Sequence, residues 1–71
     1  MTLLEYINHK KITQAAFARY IGESPQNIER YVNGKRLPRK KTIDKIISAT
    51  DGLVSYHDFY LTHKKPLVIK N

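Results

Sequence analysis

Apolar residues along the chain fall in short clusters at helical spacing. Each cluster is opened by a capping residue and closed by a polar or glycine-containing stretch. Thr2 followed by Glu5 is a capping-box pattern, and the stripe of Leu3, Leu4 and Ile7 behind it predicts a short helix that the polar run Asn8 to Lys11 ends. Thr13 is the next N-cap, and Ile12 before it and Phe17 after it fit a hydrophobic staple. Ala15, Ala16 and Ala18 favour the helix, and Phe17 and Ile21 lie four apart on one face. Gly22 can take positive φ and stop the helix abruptly. Two residues later Ser24 caps a third helix, with Pro25 at the first helical position, where its missing N–H does no harm. Asn33-Gly34 ends that helix with a left-handed cap. Ile43, Ile46, Ile47 and Thr50 keep the i, i+3, i+4, i+7 rule and predict a fourth helix from about Arg39 to Thr50, stopped by Asp51-Gly52. Ser55 with Asp58, flanked by a Val54–Phe59 staple, opens a fifth over about Tyr56 to Leu61.

The second and third of these helices, each roughly eight residues long and joined by a turn around a glycine, make a tight helix-turn-helix. The expected fold is therefore all-α: a compact five-helix bundle in one domain, residues 1–61. Residues 62–71 form a basic tail with Pro66 and a short Leu67-Val68-Ile69 run. That tail is either flexible or adds a strand or a hydrophobic contact to a partner subunit.

Length and composition narrow the function. With 71 residues, the domain buries only about 60% of its unfolded surface, so a second subunit or a ligand is an expected source of stability. The absence of cysteine removes disulfides and thiolate metal sites. His9, His57 and His63 are scattered without ligand spacing, so no metal and no cofactor is expected. No apolar run approaches about 18 residues, and the N-terminus lacks a signal-peptide layout. The chain reads as cytoplasmic, with no membrane partner.

Charge changes the picture most. Thirteen Lys and Arg stand against six Asp and Glu, a formal net charge of +7. Seven of the 13 basic residues lie between Arg30 and Lys45: Arg30, Lys35, Arg36, Arg39, Lys40, Lys41 and Lys45. A local excess of this kind suits a phosphate-tracking surface. A basic protein kept soluble by its charge would share the net value but not the clustering.

The third helix has two unlike faces. Ile28, Tyr31 and Val32 share the face that packs on the second helix, whereas Gln26, Glu29, Arg30 and Asn33 form a wholly polar ridge opposite. Arg pairs with guanine O6 and N7, Gln with adenine, and Glu accepts from cytosine N4. Any solvated helix face also looks like this, so residue types alone leave both readings open.

The run Gln14-Ala15-Ala16-Phe17-Ala18-Arg19-Tyr20-Ile21-Gly22 resembles the first half of the helix-turn-helix of lambdoid phage repressors and Cro proteins. Ser24 to Lys35, with its Asn-Gly-Lys ending, resembles the second half. The resemblance extends from about Thr2 to Thr50 and is most specific at Gln14 to Lys35. It implies that Gln26 and Arg30 read bases, with Glu29 and Pro25 shaping contacts in the groove. It implies phosphate contacts from Gln14, Ser24, Asn33, Lys35, Arg36 and Arg39. Two residues depart from the pattern. Glu23 stands in the turn where the family prefers an apolar or small side chain, and Pro25 stands where relatives place a polar base-contacting one. Glu29 either accepts from a cytosine or orients Arg30.

The implied function is a Cro-type repressor, a homodimer on double-stranded operator DNA, with no small-molecule ligand. Val54, Tyr56, Phe59 and Tyr60 are the expected dimer surface. An enzyme is not expected, since no Gly-rich phosphate loop, His-Glu-x-x-His or nucleophile elbow occurs. The five tyrosines, at helical spacing, suit core and dimer packing better than a single-strand stacking platform. The competing readings are an antitoxin or adaptor, a protein-interaction module on the same fold, and non-specific nucleic-acid binding through charge alone.

Overall fold

The structure, a computed structural model, describes residues 1–62, and the expectations for the tail beyond them lie outside the described residues. Among the described residues five helices follow in order: α1 (Leu3–Lys10), α2 (Gln14–Ile21), α3 (Pro25–Val32), α4 (Lys40–Ala49) and α5 (Tyr56–Thr62). Local chemistry sets most of their starts. The Thr2 hydroxyl accepts from the Glu5 N–H at 3.1 Å while the Glu5 carboxylate accepts from the Thr2 N–H at 2.8 Å, closing the capping box. Thr13 and Ser24 accept from Ala16 and Asn27 in the same way. Ser55 and Asp58 exchange bonds at the head of α5. These contacts satisfy N–H groups that a helix start leaves orphaned. Arg39, the N-cap of α4, makes no such side-chain bond.

The ends of α1 to α4 share one device. In each, the chain turns left-handed and two N–H groups reach back three and five residues, as in Lys35 to the Arg30 carbonyl (2.9 Å) and Gly34 to that of Tyr31 (3.2 Å). For α3 the left-handed residue is Gly34, at φ 72, while Asn33 keeps φ −86. Gly22 plays that part in α2, and Lys11 and Asp51 do so in α1 and α4 without being glycine.

One apolar core holds these helices together. Phe17, Ala18 and Ile21 of α2 face Ile28, Tyr31 and Val32 of α3, with Ala18 and Ile28 fully enclosed. Burying a side chain the size of Ile28 stabilises by about 1.5–3 kcal/mol. Tyr6 meets Phe17 edge-on, centroids 6.1 Å apart, and the Lys10 ammonium lies over the Tyr6 ring, 5.8 Å from its centroid, a cation–π arrangement. From α1, Leu3, Tyr6 and Ile7 enter the core, whereas Leu4 is exposed; the stripe of this short helix turns toward Tyr6.

Val54 and Phe59 are also core residues, 0% and 3% exposed, because α5 closes down on α3. Of the four positions expected at a dimer surface, therefore, only Tyr56 and Tyr60 present side chains to solvent. Thr50 joins α4 to the segment before α5. Its buried hydroxyl donates to the Ile46 carbonyl at 2.9 Å and accepts from the Val54 N–H at 3.2 Å. Among the described residues no helix is long and apolar enough to cross a membrane.

Candidate nucleic-acid interface

Inward-facing Ile28, Tyr31 and Val32 fix the rotation of α3, and that rotation turns its polar ridge outward. Pro25, Gln26, Glu29, Arg30 and Asn33 are all exposed. Among the described residues, no side-chain hydrogen bond or salt bridge engages Gln26, Arg30 or Asn33. Glu29 and Arg30 do not pair with each other, so an orienting role for Glu29 has no contact behind it. The Ser24 oxygen is committed as the helix cap, which leaves its O–H free to donate. Gln14 sits half-exposed at the first position of α2, where unpaired N–H groups and the helix dipole favour an anion.

The basic cluster divides in two. Lys35, Arg36, Arg39 and Lys41 are exposed and, among the described residues, carry no salt bridge. Lys40 instead pairs with Asp44 at 3.0 Å. Lys45 donates to the Ile21 carbonyl at the end of α2 (3.4 Å) and stands 3.9 Å from the Glu23 carboxylate. Asp44 also accepts from the Tyr56 hydroxyl. The bonds from Tyr56 and Lys40 hold the Asp44 carboxyl below its ordinary range, and the same bond to Asp44 raises the Tyr56 phenol.

Glu23 is the unexpected member of this region. Its side chain is only 17% exposed. Oε1 accepts from the Asn27 amide of α3 at 3.2 Å, and Oε2 from the Thr42 hydroxyl of α4 at 3.4 Å. The turn thus touches both helices that follow it. Tyr31 lies close enough that burial first, and the Glu23 charge second, raise its phenol above the ordinary value against the pull of Arg36, Arg39 and Arg30. The phenol stays neutral beneath the ridge.

Comparison with known families fits this geometry. The family model described as helix-turn-helix matches residues 3–53, well over half of the chain. The chain belongs to the helix-turn-helix family. No curated protein and no solved structure matches it. The match runs from α1 to the segment after α4 and so includes α2, α3 and the whole basic cluster. Membership makes this a DNA-binding fold, and the match includes α2, α3 and the turn between them.

In this helix-turn-helix chain the outer side of α3 brings together Gln26, Arg30 and Asn33, and the loop behind it carries Lys35, Arg36 and Arg39. Sequence reasoning missed the partners of Glu23, which lie 4 and 19 residues away. The Glu23–Asn27 spacing of four was a readable signal; Thr42 was not. No sequence pattern pointed to a mostly apolar cavity of about 340 Å³ lined by Tyr6, Lys10, Ile12, Ala16, Phe17, Tyr20 and Ala49. Tyr20, 75% exposed, stands at its rim and belongs to neither the core nor the ridge.

Proposed function

We propose that the protein is a sequence-specific transcriptional repressor of the Cro type, a homodimer that places α3 in the major groove of a roughly palindromic operator. Half-sites then lie about one helical turn, roughly 34–36 Å, apart. Gln26 and Arg30 read base edges, while Glu29 tunes the choice and Pro25 shapes the entry of the helix without donating a bond. Gln14, Ser24, Asn33, Lys35, Arg36 and Arg39 bind phosphates and fix register. Among the described side chains of α5, Tyr56 and Tyr60 expose aromatic rings to a partner subunit.

One observation carries this reading. The ridge of α3 is exposed and uncommitted, and it is flanked by basic side chains that are equally free. Unpaired donors on a helix whose other face is packed into the core are what a groove reader needs. The alternative, an adaptor or antitoxin on the same fold, is favoured only by the cavity beside Tyr20, which offers a place to hold a peptide.

Selection of duplexes from a random pool tests it. Enrichment of a two-fold symmetric site is expected, together with a loss of about 1–3 kcal/mol on that site for Arg30→Ala and little loss on random DNA. A pool that yields no preferred sequence defeats the repressor reading and leaves binding through charge alone.

A further inference from the structure

We propose that Glu23 is a positioning residue for sequence reading: through Asn27 and Thr42 it locks the recognition helix to α4, so that bases and phosphates are met from one rigid unit. The inference rests on the DNA-reading role given above.

The apolar contacts of Ile28, Tyr31 and Val32 hold α3 to the core, but burial of apolar surface is non-directional. It opposes separation more strongly than a small rotation or slide of the helix. Hydrogen bonds supply the missing direction. Asn27 lies in the first turn of α3, next to Gln26 and one turn before Arg30, and its amide is tied to Glu23 Oε1. Thr42 lies in the first turn of α4, three residues beyond Arg39 and next to Lys41, and its hydroxyl is tied to Oε2 of the same carboxylate. One side chain therefore spans the base-facing and phosphate-facing groups. Lys45, itself bonded to the end of α2, balances the charge.

The choice of residue is otherwise costly. A carboxylate at 17% exposure gives up hydration that an apolar side chain in the same turn would not. Packing alone does not require it. Its two oxygens, pointing at two different helices, are what an apolar residue cannot reproduce.

The test is competition binding of E23A, E23Q, N27A and T42V against the selected operator and a random duplex of equal length. Salt is fixed, and the temperature is one at which circular dichroism shows each variant folded. E23A is expected to bind the operator about tenfold more weakly, the loss of roughly one base contact, with random DNA changed less than about twofold. E23Q, which keeps an acceptor for Asn27 and a polar group for Thr42, recovers most of the difference. N27A lowers the operator-to-random ratio and adds little when combined with E23A, as expected for members of one network. A lower melting temperature with an unchanged ratio in E23A, or in N27A and T42V should E23A not fold, overturns the proposal by making the cluster merely structural. R30A is the control. If it lowers the ratio while the Glu23 set does not, only the positioning role fails; if R30A also leaves the ratio unchanged, the DNA-reading role falls with it.

Discussion

The joint between α4 and α5 and the outer ridge of α3 are both rich in polar groups, and they use them in opposite ways. At the joint, the Thr50 hydroxyl is buried and bonded on both sides, to Ile46 and Val54, and Asp58 gathers bonds from Ser55 and the Met1 amino group. On the ridge, the side chains of Gln26, Arg30 and Asn33 are exposed and, among the described residues, make no hydrogen bond or ion pair. A polar group satisfied inside the protein stabilises the fold and has little left for a partner. One left free adds little to the fold and retains its hydrogen-bonding capacity for a ligand. The contrast separates what holds this domain together from what it offers to DNA.

The largest expected effect comes from breaking the joint. Thr50→Val leaves the buried Val54 N–H without an acceptor and should destabilise by about 1–3 kcal/mol. In a domain of this size each kcal/mol lowers the melting temperature by about 4–8 °C, readable by thermal denaturation. The operator-to-random ratio measured below that transition should not move. A changed ratio would mean that the joint and the ridge are not separable.

A smaller effect sharpens the other side of the comparison. Lys35→Ala should leave stability within about 0.5 kcal/mol of the parent. It should weaken operator and random DNA alike, and flatten the slope of log affinity against log salt by about one. Titrations at three or four salt concentrations give that slope. Lys45→Ala, by contrast, should barely alter it, because that ammonium is engaged with Ile21 and Glu23.

The smallest effect is a pH dependence. Burial alone would raise the Asp58 carboxyl, but bonds from the Ser55 backbone, the amino terminus and the Ser55 hydroxyl outweigh it, and its pKa is lowered. A carboxyl lower in the folded than in the unfolded chain stabilises above its unfolded pKa, about 3.9, and that contribution fades as pH falls through the folded value. Melting temperature should therefore drop below about pH 4. Asp58→Asn should start lower at neutral pH and show a shallower acid fall.

Much of the fold was legible because helix caps are local. Thr2 with Glu5, Thr13, Ser24 with Pro25, and Ser55 with Asp58 mark starts that depend on residues no more than three positions apart. The faces of α3 were legible for a related reason: one side is purely apolar and the other purely polar. Leu4 departs from its expected inward place because an eight-residue helix fixes its stripe poorly, and here Tyr6 turns inward with its ring edge-on to Phe17. Val54 and Phe59 were assigned to a surface although their staple pattern already described internal packing. Lys40 and Lys45 counted toward a phosphate-binding cluster in sequence. Asp44, four residues after Lys40 on the same helix, was a readable partner, whereas only the three-dimensional arrangement brings Glu23 to Lys45. The partners of Glu23 depend on how α4 returns to the turn, which no local pattern encodes.

Two helix endings also leave this domain with unused thermal headroom. Lys11 and Asp51 hold φ of 58 and 53, a backbone region in which a side chain costs about 1–2 kcal/mol. Glycine at either place would relax that strain, offset in part by the extra freedom it gives the unfolded chain. A hardier variant is thus two substitutions away, neither of which alters an α3 side chain.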